Sequence, residues 1–377
     1  MLDFTLSEEE ELIRETFRRF AADQVAPRAE EIDRAKSVPV DLFRQVGELG
    51  LFGMRYPESA GGSDCGVRGY LIALEELARA SLSLAALCTM QSLMGTYFIY
   101  RSDDPELHEK FLKPAIAGEL VGTICITEPE AGSDLGNIAT RATKVDAGWQ
   151  IDGTKTWITS APIADLFTVF ALTGEEKELS VFLVEKGAPG LTVGKTIEKM
   201  GLWGSVNSEV AFDGVVIPEN HLLGELHGGR AYLTEILTKI RLTTAALAQG
   251  PGEAALEYAV QYANERKQFG KPVGKFQALK VKLAEAATEL EASRRLMDYA
   301  TWREAHEMSN MKQASMAKLF ASEAAVRACD TASRVLASYG YAMEYPVQRH
   351  LRDVRFTLFG GGTSEILDLI IAKEIGL

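Results

Sequence analysis

Apolar positions recur three and four residues apart through the first 120 residues, beginning with Leu12, Ile13, Phe17 and Phe20 after Ser7-Glu-Glu-Glu10. A serine followed by carboxylates marks a helix start. Its hydroxyl takes an orphan N–H, and the acids face the positive end of the dipole. A second helix is predicted over 40–49, and the loop Glu58-Ser-Ala-Gly-Gly-Ser-Asp64 interrupts the pattern. From 66 to 100 nearly every position is apolar or small, with Glu75 and Glu76 as rare charges, which predicts a helix buried on most sides. One more helix over 105–117 completes a helical domain assigned to residues 1–120.

Beyond that point the period changes from helical to alternating. Short runs such as Asp165-Leu-Phe-Thr-Val-Phe-Ala, Glu178-Leu-Ser-Val-Phe-Leu-Val and Ser208-Glu-Val-Ala-Phe are bounded by Gly, Pro and Asp. Asp152-Gly153 and Asp213-Gly214 are turn signals, so 121–226 read as a β domain, a barrel or a sandwich. Helical spacing returns over about 230–265, 276–306 and 311–339, then in a short helix from Thr363. Long antiparallel helices with short connections predict a four-helix bundle over 227–377. The fold class expected is α+β, mostly α, in three domains.

Composition narrows the function. A net charge of -13 argues against a nucleic-acid partner, because phosphate binding needs clustered Lys and Arg. The N-terminus has neither a basic nor an apolar segment of a signal peptide, and no uncharged apolar run is expected to span a membrane. Cys65, Cys88, Cys125 and Cys329 show no close spacing, so neither zinc nor a disulfide framework is expected and a reduced, cytoplasmic setting is the default.

The candidate chemistry lies between Thr123 and Ser160. An apolar run with Ile124 and Ile126 ends in Thr127-Glu-Pro-Glu-Ala-Gly132-Ser133, where small residues suit close approach to an anionic or heteroaromatic ligand. The second piece, Gly153-Thr-Lys-Thr-Trp157-Ile158-Thr159-Ser160, sets an apolar plate beside two hydroxyls. A buried strand and turn is the alternative for either piece alone. With Asn264-Glu-Arg-Lys-Gln-Phe-Gly270 and Phe276-Gln277 further on, the pair resembles the flavin-binding segments of the acyl-CoA dehydrogenase family, and the likeness spans essentially the full chain.

That resemblance implies FAD in the crevice between β domain and bundle, reaching a neighbouring subunit of a homotetramer or homodimer. It implies an acyl-CoA substrate, or an acyl carrier protein thioester, and an electron-transfer flavoprotein as electron acceptor. Thr127 and Thr159 would bond the isoalloxazine, Trp157 would cover it, and Ser133 would touch phosphate or substrate. Ile124, Ile126, Gly132 and Ile158 belong to the same bed. Arg266 would pair with pyrophosphate, with Gln268, Phe269, Phe276 and Gln277 beside it; a solvated helix-end arginine is the alternative. Thr363 and Glu365 complete the implied cofactor set. The family's usual Gln and Gly-Gly are replaced here by Arg334, Ala337 and Ser338.

The family removes an α-proton with a Glu in one of two places. Here Gly361 stands in the C-terminal place and Ile240, before Arg241, in the place on the long helix. The Gly361 N–H remains available for an oxyanion, but neither position has a carboxylate. Glu235 and Glu365 are weak substitutes, and Asp368 lies a turn further on. Met90, Gln91, Ser133, Thr238, Arg241 and Gly360 form the expected substrate set, although Met90 and Gln91 serve equally well as core. Three readings follow: a relocated base, which is favoured; a reaction that opens by losing CO2 or sulfinate; and a flavin-binding relative without turnover. The second wants a cation in the acyl pocket, whereas the stretch over 85–92 offers only neutral groups.

Overall fold

The computed structural model describes residues 4–175 and 177–377. Helix α1 (Glu8–Phe20) begins as its sequence requires: Ser7 Oγ accepts the Glu10 N–H at 3.1 Å, and Glu10 Oε2 accepts the Ser7 N–H at 2.9 Å. α2 (Ala29–Ala35), α3 (Val40–Glu48) and α4 (Gly66–Ala80) follow. The apolar stretch expected as one helix to residue 100 is broken at Ser81. That residue is extended (φ -151, ψ 107), and its hydroxyl accepts the Leu84 N–H to start α5 (Leu82–Thr89). α6 (Tyr97–Arg101), α7 (Pro105–Leu107) and α8 (Lys113–Ile116) close the domain. Leu82–Arg101 is long and apolar enough to cross a membrane, with mean hydropathy 1.3, contrary to the sequence expectation. It is nevertheless 94% buried and forms protein core.

The middle of the chain forms β1 (Gly122–Cys125), β2 (Arg141–Val145), β3 (Gly148–Thr159), β4 (Leu166–Thr173), β5 (Glu178–Glu185), β6 (Leu191–Thr196) and β7 (Asn207–Ile217). They pair in the order β1-β4-β2-β3-β7-β6, with β5 also on β4. β4 is buried along its whole length, as its unbroken apolar run implies. The β3–β7 pairing slips twice, once between Lys155 and Ile158. A Cβ on Gly95 would stand 2.3 Å from the Gly122 backbone, so this contact between helical domain and sheet requires glycine.

The C-terminal region contains α9 (Gly229–Glu265), the hairpin β8 (Lys267–Gln268) and β9 (Lys271–Pro272), α10 (Gln277–Ala305) and α11 (Met311–Leu336). α9 and α11 approach closely because their seam is small: Ala245, Ala248 and Ala255 face a buried row that includes Ala317, Ala321 and Ala325. α11 stops at Leu336, before the expected 339, where Ala337 takes φ 53. α12 (Pro346–Val354) is an element the pattern does not predict, and α13 (Ser364–Glu374) ends the chain's helices. Arg294 on α10 bridges Glu75 on α4 (2.5 Å) and Glu253 on α9 (2.6 Å), locking the first domain to the bundle.

Candidate functional site

Two stitches shape the bed expected for the flavin. The Thr156 N–H donates to Thr127 O at 2.9 Å, and the Thr123 hydroxyl to Thr159 O. The loop after β1 is therefore fastened to β3. At the β3 bulge Trp157 takes φ 59 and leaves its indole 54% exposed, and Ser160 follows at φ 67. Non-glycine residues rarely hold this conformation unless their surroundings enforce it. Asn207 meets this turn: its Nδ2 donates to Trp157 O (3.1 Å) and Thr159 Oγ1 (2.8 Å). Beneath the loop, buried Lys155 donates to Glu128 at 2.7 Å and to Ile126 O at 3.1 Å. Glu128 also accepts the Ala139 and Thr140 N–H groups. Burial disfavours the Glu128 carboxylate, but Lys155 and those donors outweigh it and hold its pKa below the usual range.

These features fit FAD. A Cβ on Gly132 would meet nothing within 4 Å, leaving room for close approach, and the buried Ser160 hydroxyl has no partner among the described residues. Thr159 Oγ1 already accepts from Asn207, which leaves its O–H free to donate. Ile126 and Thr127 are half-buried and Ser133 exposed, while Ile124 and Ile158 are core and offer only backbone.

The two base positions converge. A Cβ on Gly361 would stand 3.2 Å from Ile240 Cγ2 and 3.2 Å from Thr244 Oγ1. The two places where the resemblance puts a carboxylate thus converge on one point, lined here by Ile240 and the Thr244 hydroxyl. Gly361 has φ 72, and its N–H meets no acceptor among the described residues, whereas the Gly360 N–H is spent on Phe356 O at 2.9 Å. α11 holds this glycine run from below: Lys318 Nζ donates to Gly362 O at 2.6 Å and the Ser322 hydroxyl to Thr357 O at 3.0 Å.

Next to the gap stand two buried cations. Arg241 is 3% exposed, its Nε has no partner, its recorded contact is with Met311 Sδ, and no carboxylate pairs with it among the described residues. Burial lowers its pKa to about 10. Lys318 is fully buried; burial first and Arg241 second lower its pKa to about 8. Arg241 on α9 and Lys318 on α11 thus bring two buried cations near the glycine run, where the 85–92 stretch offers none. An uncompensated buried guanidinium is costly unless an anion joins it.

The substitute acids are engaged elsewhere. Glu235 accepts from the Tyr97 hydroxyl and pairs with Arg101 at 3.5 Å. Glu365 lies exposed in the first turn of α13, its pKa lowered by its own backbone N–H and then by Thr363. Gln91 is a structural brace, not a substrate contact. Its Nε2 donates to Ala115 O and Leu120 O, and its Oε1 accepts the Gly122 N–H, each at 2.7 Å. Thr238 bonds Thr234 O within α9, and the Thr363 hydroxyl caps α13. Met90 remains in place, buried in one apolar cluster with Ile240, Leu93 and Tyr97.

The nucleotide candidates gather at the other end of the bundle. Arg266 sits 5.7 Å over the Tyr339 ring, next to the exposed Ala337 and Ser338. Gln268 lies on β8, Phe269 is 92% exposed and meets Phe276 edge-on, and Gln277 opens α10. Arg334 points outward and pairs with Asp330 at 2.6 Å, so it is no buried replacement for an amide. Among the described residues no hydrogen bond or ion pair joins this group to the bed, and no cluster of three potential metal ligands occurs. Sequence reasoning missed Glu128, Lys155, Lys199, Asn207 and Lys318. Glu128 and Lys155 stood within the stretches singled out, and Lys318 is a lone charge in a small-residue row. Nothing local marked Asn207.

Family models for the acyl-CoA dehydrogenase N-terminal, middle and C-terminal domains match residues 7–119, 123–215 and 227–376. A benzylmalonyl-CoA dehydrogenase of Aromatoleum aromaticum is 56% identical over 99% of this chain and 100% of its own length. Butyryl-CoA dehydrogenase from Megasphaera elsdenii superposes with a TM-score of 0.95 at 34% identity, over 99% of both chains. The FAD complex of PigA superposes at 0.96 and 30% identity, over 100% of this chain and 99% of the other.

Proposed function

We propose, from the premise that this chain belongs to the acyl-CoA dehydrogenase family, that it oxidises a 2-substituted malonyl-CoA with loss of carbon dioxide. The premise rests on three domain models matched in order. The chain is an FAD-dependent oxidoreductase of acyl thioesters that acts on a CH–CH pair. The finer reading is carried by one observation. Ile240 and Gly361 converge on the point where the family's base is expected and present no carboxylate, while Arg241 lies buried, and no carboxylate pairs with it among the described residues.

An α-carboxylate on the substrate resolves both features. It occupies the gap, and Arg241 and Lys318 supply the field that draws an anion in. The apolar walls strip water from it, which favours a step that turns a localised charge into neutral CO2 and a delocalised enolate. The Cα–carboxylate bond breaks, its electron pair stays on Cα, and the Gly361 N–H donates to the thioester oxygen as that oxygen gains charge. Bound FAD supplies the acceptor for the hydride that leaves Cβ. The product is the α,β-unsaturated thioester. The Aromatoleum relative's name places such a carboxylate on its own substrate, with an aryl-bearing carbon at Cβ.

Coenzyme A as carrier, a homotetramer and an electron-transfer flavoprotein as acceptor belong to this reading by family resemblance. Phe269, 92% exposed, and Tyr341 and Leu377, both 90%, support a surface that further copies cover.

The test is anaerobic mixing of the flavin-loaded protein with benzylmalonyl-CoA and, separately, with 3-phenylpropanoyl-CoA, following the visible flavin band and released CO2. The expected result is bleaching with one CO2 per flavin for the first compound and at least about 100-fold slower bleaching for the second, on the order of a lost catalytic base. Equal bleaching by both would return the reaction to proton abstraction by a relocated base.

A further inference from the structure

The bed around Trp157 is held by a network that reaches all three domains, and its central member is Asn207. Trp157 sits in a bulge, where its carbonyl lacks a regular ladder partner; Asn207 Nδ2 supplies one at 3.1 Å. The same amide reaches Thr159 Oγ1 at 2.8 Å. An asparagine amide has one donor and one acceptor end, so its effect depends on which end faces the bed. Lys199 decides this. Its ammonium, a donor only, lies 2.6 Å from Asn207 Oδ1 and also reaches Ser205 O, so the NH2 group faces the bed.

Lys199 is in turn fixed by the loop around it. Trp203 Nε1 donates to Lys199 O at 2.7 Å, and the Arg352 guanidinium lies 4.0 Å over the Trp203 ring. Arg352 pairs with Asp33 of α2 at 2.6 Å, and Asp353 accepts the Leu202 N–H at 2.6 Å. The loop between β6 and β7 is thereby held between the first domain and α12. A Cβ on Gly201 would stand 2.4 Å from Arg352 O, and one on Gly204 2.5 Å from Ile32 Cγ2, so this close fit requires both glycines.

We propose that Asn207, aimed by Lys199, is the positioning residue of the flavin bed: it holds Trp157 in its exposed left-handed turn and leaves the Thr159 hydroxyl free to donate toward the flavin. The inference rests on the reading of Trp157 and Thr159 as that bed. Asn207 acts through those two residues and Lys199 acts through Asn207, which fixes the pattern of effects to be measured.

The experiment strips FAD from the protein and titrates it back, reading affinity and the position of the visible band. Asn207→Ala is expected to weaken FAD about tenfold and shift the band, as loss of two oriented hydrogen bonds implies. Lys199→Met should move both readouts in the same direction by roughly threefold in affinity, Lys199→Arg should restore them, and Asn207→Ala with Lys199→Met should be no worse than Asn207→Ala alone. Trp157→Ala is the control for the bed. If it alters affinity and band while Asn207→Ala and Lys199→Met alter only the melting temperature, the positioning role is overturned and the bed stands. If Trp157→Ala changes neither readout, the bed itself is overturned, and the positioning role with it.

Discussion

At Gly361 a missing side chain and a left-handed backbone act together. The residue offers an N–H that meets no acceptor among the described residues and leaves open the space that a Cβ would contest with Ile240 and Thr244. A glutamate placed there has to hold φ 72, a conformation that costs about 1–3 kcal/mol for a non-glycine residue. Position 240 lies in regular helix and carries no such cost, so Ile240→Glu is the cleaner way to restore a base. That variant is expected to lose turnover of a 2-arylmethylmalonyl-CoA by at least about 100-fold, since two carboxylates cannot share the gap in ionised form. It should gain slow flavin bleaching by 3-phenylpropanoyl-CoA. Stopped-flow absorbance checks both, and undiminished malonyl turnover would show that the substrate carboxylate sits elsewhere. The sequence alone revealed that Gly361 and Ile240 lack acids. It did not reveal that a side chain at Gly361 would meet Ile240, or that no carboxylate pairs with Arg241 among the described residues. Contacts between residues more than a hundred positions apart belong to the tertiary fold.

Among the elements, those with long uniform periods were legible: α9, α10 and β4 follow their apolar patterns closely. The break at Ser81 was hidden because alanines, leucines and a serine suit one long helix as well as two short ones. α12 was hidden for the opposite reason. Its nine residues hold four charged or histidine side chains, yet His350 and Asp353 are buried, and Asp353 accepts the Leu202 N–H of the β6–β7 loop. Burial raises the Asp353 pKa from the ordinary carboxylate range to about 6. The folded chain therefore keeps a proton that the unfolded chain releases between about pH 4 and 6, and stability from this group is lost as pH rises through that window. Its size is on the order of 2–3 kcal/mol at 1.36 kcal/mol per unit. Asp353→Asn should flatten the stability curve over that window relative to the unmodified protein, as chemical denaturation at a series of pH values will show. Parallel curves would mean that Asp353 titrates normally.

Across the whole molecule, a net charge of -13 surrounds a site with two buried cations: Arg241, with which no carboxylate pairs among the described residues, and Lys318, which donates to Gly362 O. The contrast concentrates attraction for an anion at one point, where the glycine run, α9 and α11 meet. Domain order and helical content were readable from the period changes along the chain. The joining of the domains through Arg294, Arg352 and the β6–β7 loop was not, because each contact pairs residues far apart in sequence, and even Glu75, a rare charge in an apolar stretch, does not name its partner. The central claim is that the reaction opens by breaking the bond from Cα to the carboxylate, not the bond from Cα to hydrogen. The most direct measurement is a single anaerobic turnover of benzylmalonyl-CoA carrying deuterium on Cα, with mass analysis of the unsaturated product. Opening by CO2 loss predicts that the deuterium stays on Cα. A product that has exchanged it for solvent hydrogen, with unreacted substrate still labelled, would contradict the claim and put an enzyme base back at the centre of the site.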